Sequence, residues 1–237
     1  MPLAILALHY WAGAGSEFDA LRPLLSAGTI LHAPDLPGFG QEPAPAGFDY
    51  SVAAYADWVA CYAQRHALTD YALLGHSMGG KIALALAARQ PVGLRRLVLL
   101  SPSPPPGEPI PAAKRKASLQ AYGKPDEAEK TLDDITQRPL TAAQQRQVVA
   151  DNLACTQAAW KAWLTQGSRE DISAQMPRLR LPCQVLVGSE DRAITPATQR
   201  RLTLPHLPEG TRYTEVQGAG HLLPLETPTA VAEALKE

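Results

Sequence analysis

The sequence predicts an α/β fold: a mostly parallel, six-stranded, doubly wound sheet with helices on both faces and an all-helical insertion. Three observations predict it. Six short apolar runs alternate with helical patterns, which demands crossover connections and hence a parallel sheet covered on both sides. That rhythm stops between Pro102 and Leu181, where about 80 residues read as helices only. The 237 residues, 46% of them apolar, can bury one sizeable core.

The elements follow in order. Leu3–Leu8 is an apolar run that ends in the turn His9-Tyr10-Trp11-Ala12-Gly13-Ala14-Gly15. A helical pattern over Phe18–Leu25 leads to a strand over Thr29–Ala33, and a longer pattern over Val52–His66 leads to Tyr71–Leu74. Helix Met78–Arg89 precedes strand Arg95–Leu100. Pro102-Ser103-Pro104-Pro105-Pro106-Gly107 cannot be helix or central strand and opens the insertion. Helices are expected near Ala112–Tyr122, Pro125–Thr136, Ala142–Ala154 and Gln157–Gln166. Strands Gln184–Val187 and Thr211–Glu215 close the sheet, with helices Thr195–Leu204 and Pro228–Lys236. The expected division is a core of residues 1–101 and 182–237 and a lid of residues 102–181. Insertions at the strand C-terminal edge commonly cover a site.

Bulk properties exclude several classes. A net charge of −1 and a pI near 6.6 give no bulk attraction to nucleic acid or anionic membranes. The basic cluster Lys114-Arg115-Lys116 is answered by Asp126, Glu127 and Glu129, and both read as solvated faces. Cys61, Cys155 and Cys183 are odd in number and far apart, which suits a reducing compartment and argues against a cysteine zinc site. There is no signal-peptide pattern and no apolar run approaching 18 residues. The expectation is a cytoplasmic protein without a membrane span, metal or cofactor.

Tyr71–Ala83 carries the most information. It holds G-x-S-x-G as Gly75, Ser77 and Gly79, after an apolar strand and before a small-residue helix. A serine on a sharp strand-to-helix turn sits in a strained backbone with its Oγ projecting, and side chains two before and two after would collide. The helix start aims N–H groups at the same point, that of Met78 among them. A serine nucleophile needs a base and an orienting acid later in the chain. Asp191 follows the strand Gln184–Val187 and is the expected acid, with Glu190 the adjacent fallback. His221 follows Gly218-Ala219-Gly220 past the last strand. Of six histidines only His221 has both the order and the loop context of a base; His9 is read as a structural residue of its turn.

With these residues in view, the chain resembles an α/β-hydrolase. Gly75-His76-Ser77-Met78-Gly79-Gly80 resembles the family's elbow, Gly188-Ser189-Glu190-Asp191 its acid turn and Gly218-Ala219-Gly220-His221 its histidine loop. Asp35-Leu36-Pro37-Gly38-Phe39-Gly40 is similar to its D-x-P-G-x-G loop, with Gln41 where Ser is usual. The resemblance implies a wholly parallel core lacking the family's first two strands. Tyr10 stands where the family usually has Gly.

The implied activity is a serine hydrolase of the carboxylesterase type, acting on small to medium apolar esters through Ser77, His221 and Asp191. The oxyanion hole is expected from the backbone N–H groups of Trp11 and Met78. Tyr10, His76, Trp160, Trp163 and Leu222 are the pocket candidates, although the tryptophans three apart also fit core spacing. The partner is a small-molecule ester, and the chain is expected as a monomer or homodimer. Alternatives on the same triad are a thioesterase, C–C hydrolase, lyase or perhydrolase, or a catalytically poor ligand receptor. A nicotinamide-binding reading of Gly13-Ala14-Gly15-Ser16-Glu17-Phe18, with Asp35 about 20 residues on, fails at Phe18, where Gly or Ala is needed.

Overall fold

The computed structural model describes residues 4–236, so Leu3, the expected start of the first strand, lies outside the described residues. Six strands form one sheet: β1 (Ala4–Leu8), β2 (Ile30–His32), β3 (Tyr71–His76), β4 (Leu94–Leu100), β5 (Cys183–Gly188) and β6 (Arg212–Val216). Their order is β2-β1-β3-β4-β5-β6 and every pairing is parallel. The chain moves outward first to β2 and then in the other direction, so the switch point lies between β1 and β3.

Alternation along the strands explains the two covered faces. Leu6, Leu8, Leu73, Leu97 and Leu99 point into one core, which they share with Val52, Tyr55 and Val59 of α1 (Val52–Arg65) and with α2 (Met78–Ala87). Ile5, Ala7, Leu74, Val98 and Leu100 point into the other, against Phe18, Leu21, Val231 and Leu235. Helix α1 starts on Ser51, whose hydroxyl accepts the Ala54 N–H, and its buried Val52, Tyr55, Ala56, Val59 and Ala63 keep a helical period.

Between β4 and β5 lie four α-helices: α3 (Ala112–Ala121), α4 (Pro125–Ile135), α5 (Ala142–Ala154) and α6 (Gln157–Thr165). They depart from the expected helix bounds by one residue at most. Two expected helices differ in kind. Gly15–Leu24 is a 3₁₀ segment with Pro23 inside it, a residue with no N–H to extend an α-helix. The expected helix over Thr195–Leu204 breaks into an α turn at Pro196–Thr198, a π turn at Gln199–Thr203 and a 3₁₀ turn at Leu204–His206. There Pro205 ends the ladder, and Gln199 is drawn inward to donate to the Pro102 carbonyl at 2.9 Å. A turn of helix at Leu223–Glu226, unforeseen in the sequence, precedes the last helix at Pro228–Ala234.

Candidate active site

Parallel pairing brings the C-terminal ends of five strands to one edge. Leu8 pairs with Gly75, His76 with Leu100, and Gly188 with Val216. The turns leaving those ends carry Trp11, Ser77, Asp191 and His221, whereas Trp160 and Trp163 lie on α6 of the insertion.

Ser77 follows β3 with φ +51° and ψ −112°, a left-handed conformation that costs a non-glycine residue energy. The turn persists because its surroundings fix it. Ser77 N–H donates to the Leu100 carbonyl and its own carbonyl accepts from Ser103, both at 2.9 Å. A Cβ at Gly75 would stand 2.6 Å from the Gly79 oxygen, and one at Gly79 would stand 2.2 Å from the Leu8 oxygen. Both glycines are therefore steric requirements of this turn.

The loop after β1 turns at Tyr10-Trp11-Ala12-Gly13, closed by Gly13 N–H to the Tyr10 carbonyl at 3.1 Å, with Ala12 at φ +62°. Gly79 N–H reaches back to the His9 carbonyl, which seats this loop beside Ser77. Among the described residues, the N–H groups of Trp11 and Met78 have no acceptor. His9 is fully buried. Its Nε2 accepts from Leu36 N–H at 2.9 Å and its Nδ1 donates to the Tyr10 carbonyl at 2.7 Å, which fixes the neutral ring in one tautomer. Burial holds its pKa below the ordinary value, against the opposing charge of Glu17. His9 thus braces the turn.

The glycines of the turn are filled by protein. A Cβ at Gly15 would lie 2.0 Å from the Ala33 oxygen, and one at Gly13 would lie 2.3 Å from the Tyr10 ring. Asp35 is spent on the N–H groups of Gly15 and Gln41, each at 2.8 Å. No room is left there for a phosphate.

Asp191, 3% exposed, faces His221, with Oδ2 at 2.7 Å from Nδ1. Its Oδ1 accepts from Ala193 and Ile194 N–H at 2.8 and 2.9 Å. Glu190 is exposed and turned to the Ser189 hydroxyl, so Asp191 is the acid that meets the ring. Burial pushes the Asp191 carboxyl up, but the neighbouring His221 and the Ile194 N–H outweigh it and the net is downward. Burial pushes His221 down, Asp191 outweighs it, and the net is upward. His221 Nδ1 is committed to Asp191, which leaves Nε2 for a proton from outside the pair. Among the described residues no hydrogen bond joins it to Ser77 Oγ; such contacts commonly tighten only with substrate bound.

The pocket candidates separate. Trp11 and Trp160 pack ring to ring, centroids 4.3 Å apart, and Trp160 donates to the Ser118 carbonyl. Trp163 is buried in the same core. Tyr10 and Leu222 join Leu132, Leu140, Val148 and Leu225 in a separate cluster. Tyr10 also lines a cavity of about 240 Å³ with Ser16, Glu17, Gln147 and Asp151, and that lining includes neither Ser77 nor His221. His76, expected at the pocket, has no exposed surface. Its Nδ1 faces Glu17 Oε1 at 3.1 Å and its Nε2 faces the His221 carbonyl at 2.9 Å. Both ring nitrogens are thus taken by protein atoms. His76 therefore stands behind the His221 loop rather than against a substrate.

Sequence reasoning passed over two buried acids, Glu17 and Glu226. The one available signal was an acid set among apolar residues, as in Leu222-Leu223-Pro224-Leu225-Glu226. Among the described residues there is no group of His, Cys, Asp and Glu that could hold a metal, and no helix long and apolar enough to cross a membrane.

Comparison with known proteins shows the family of the chain. The alpha/beta hydrolase family matches residues 5–234. The chain is similar to the pimeloyl-[acyl-carrier protein] methyl ester esterase of Chromobacterium violaceum, 29% identical over 92% of this chain and 86% of that protein. It is also similar to the enzyme of the same name from Aromatoleum aromaticum, 28% identical over 98% and 96% of the two chains. Among solved structures, a bromoperoxidase from Bacillus anthracis superposes with a TM-score of 0.90 over 100% of this chain and 91% of that chain, at 15% identity, a likeness of fold alone.

Proposed function

The chain belongs to the alpha/beta hydrolase family, and from that membership we propose that it cleaves carboxylic esters through a Ser77–His221–Asp191 triad. The observation that carries the reading is the buried 2.7 Å contact of His221 with Asp191 on the same sheet edge as a left-handed Ser77. Ser77 Oγ attacks the ester carbonyl while His221 Nε2 takes its proton. The proton then passes to the leaving alcohol, and water repeats the sequence to release the acid. Trp11 and Met78 N–H hold the oxyanion; losing one such donor costs about 10²–10³ in rate. Asp191 holds the ring tautomer and the imidazolium.

The names of the relatives support a narrower substrate, the methyl ester of an acyl group carried on an acyl carrier protein. Residues 102–181 act as the lid. The three free cysteines support a cytoplasmic location, and the chain works as a monomer or homodimer.

The test is a panel of p-nitrophenyl esters of rising chain length, then methyl esters of free and carrier-bound acyl groups, with Ser77→Ala as control. Wild type should turn over and Ser77→Ala should lose about 10⁶ in kcat. Equal rates in both would remove Ser77 from the mechanism. Wild-type inactivity without labelling by a fluorophosphonate would favour a ligand receptor.

A further inference from the structure

Glu226 is buried in the turn of helix just after His221, and what surrounds its carboxylate is main chain. Oε1 accepts the Leu222 N–H at 3.0 Å. Oε2 accepts three N–H groups, those of Gly220, Gln137 and Arg138, each at 2.9 Å. These four donors come from two places. Gly220 and Leu222 flank His221, while Gln137 and Arg138 belong to the link between α4 and α5. A carboxylate is the one side chain with two oxygens, a charge and no donor, so it alone satisfies four converging N–H groups.

Two further bonds join the same segments. His221 N–H donates to the carbonyl of Ile135, the last residue of α4, at 2.7 Å. The Arg138 guanidinium donates to the Gln217 carbonyl at 2.6 Å. With His76 on the His221 carbonyl, the N–H and C=O of His221 and the N–H of both its neighbours are all taken. The close fit explains Gly220: a Cβ there would stand 2.6 Å from the Ile135 oxygen and 2.9 Å from Glu226 Oε1.

We propose that Glu226 is a positioning residue for His221, and that through it the α4–α5 link of the insertion sets where the imidazole stands. The proposal rests on the reading of His221 as the base. Its physical content is that the insertion cannot lift at this edge without carrying the base with it. Opening to substrate must therefore occur elsewhere along the insertion.

The experiment compares wild type, Glu226→Gln, Glu226→Asp and His221→Ala on one p-nitrophenyl ester, with rates expressed per active site titrated by a fluorophosphonate. Glu226→Gln keeps the volume but presents an amide donor to backbone donors; Glu226→Asp keeps the charge but is one methylene too short to span both segments. A displacement of about 1 Å in a reacting group costs on the order of 10² in rate. The expected result is therefore a kcat per titrated site about 10- to 100-fold lower in Glu226→Gln, a smaller loss in Glu226→Asp, and little change in KM. The downfield proton NMR signal of the Nδ1–H shared with Asp191 should weaken in parallel. Activity in His221→Ala would refute the base assignment itself. An inactive His221→Ala beside wild-type kcat per titrated site in both Glu226 variants would overturn the proposal, even if fewer sites titrate, because that pattern marks a role in folding only. If Glu226→Gln does not fold, Glu226→Asp decides alone.

Discussion

Replacing Asp191 by asparagine keeps the shape of the site and reverses the logic of its protons. Asp191 uses one oxygen for the two backbone donors of Ala193 and Ile194 and the other for His221 Nδ1. Asparagine has a single oxygen. If that oxygen stays on the two N–H groups, the amide NH₂ faces Nδ1, which must then accept. The ring proton moves to Nε2, the nitrogen that takes the proton of Ser77 in the proposed mechanism. The flipped amide would instead set NH₂ against two buried N–H groups, leaving donors unsatisfied at about 1–3 kcal/mol each. The first orientation prevails, and the wrong tautomer should lower kcat/KM by about 10⁴, or roughly 5.4 kcal/mol. The pH profile supplies a second signature. As the proposed base His221 must be neutral, and in the wild type its upward shift should place the acid limb of kcat/KM above the ordinary imidazole value of 6.5. In Asp191→Asn, burial loses its main opponent and the limb should move to lower pH. Both are read from initial rates of p-nitrophenyl ester hydrolysis between pH 5 and 9, conventional bounds around the imidazole range. A loss of less than about tenfold, or a limb that stays in place, would refute the reasoning.

Three other perturbations follow. Gly79→Ala drives a Cβ to 2.2 Å from the Leu8 oxygen; overpacking against backbone should cost about 3 kcal/mol or more, seen as a lowered urea midpoint, and an unchanged midpoint would contradict it. Lys81 is fully buried on α2, donates to the Glu170 carbonyl, and burial pulls its pKa down to about 8 against the opposing charges of Glu108, Glu170 and Asp171. The folded state gives up this proton before the unfolded chain does, so from about pH 8 to 10.5 stability should rise with pH, by at most about 3 kcal/mol. Lys81→Met should abolish that part of the rise; identical slopes in both proteins would count against it. Tyr10→Ala empties a place in the cluster with Leu132, Leu140 and Val148 and should lower the free energy of urea unfolding by about 3 kcal/mol. Its KM should stay at the wild-type value, whereas a raised KM would put the ring in the substrate site.

The parts legible in the sequence are those whose causes are local. β1, β3, β4 and β5 declare themselves as apolar runs of strand length, and Gly75 reports a steric need within five residues, against the Gly79 oxygen, whereas Gly79 is required by Leu8 of a distant strand. The acid reads as Asp191 with Glu190 as the fallback, because the sequence of a turn beyond β5 does not record which of two adjacent acids faces inward. What stayed hidden depends on distant segments meeting. Glu17 is 59 residues from His76, and Glu226 is 89 from Gln137. No periodicity or spacing records such meetings. The irregular helix at Pro196–His206 was misread because a buried polar contact from Gln199 to Pro102, 97 residues away, overrode a local pattern. Tyr10 looked anomalous beside a pocket, but its ring folds over Gly13, where a Cβ would touch it at 2.3 Å.

The backbone of Ser77 has one more consequence. At φ +51° a side chain is a burden, and glycine could adopt the same angles without strain worth about 1–3 kcal/mol. Ser77→Gly should therefore unfold at higher urea than the wild type while hydrolysing nothing. Serine there is a standing cost to stability, set against the hydroxyl that the proposed mechanism needs at this position.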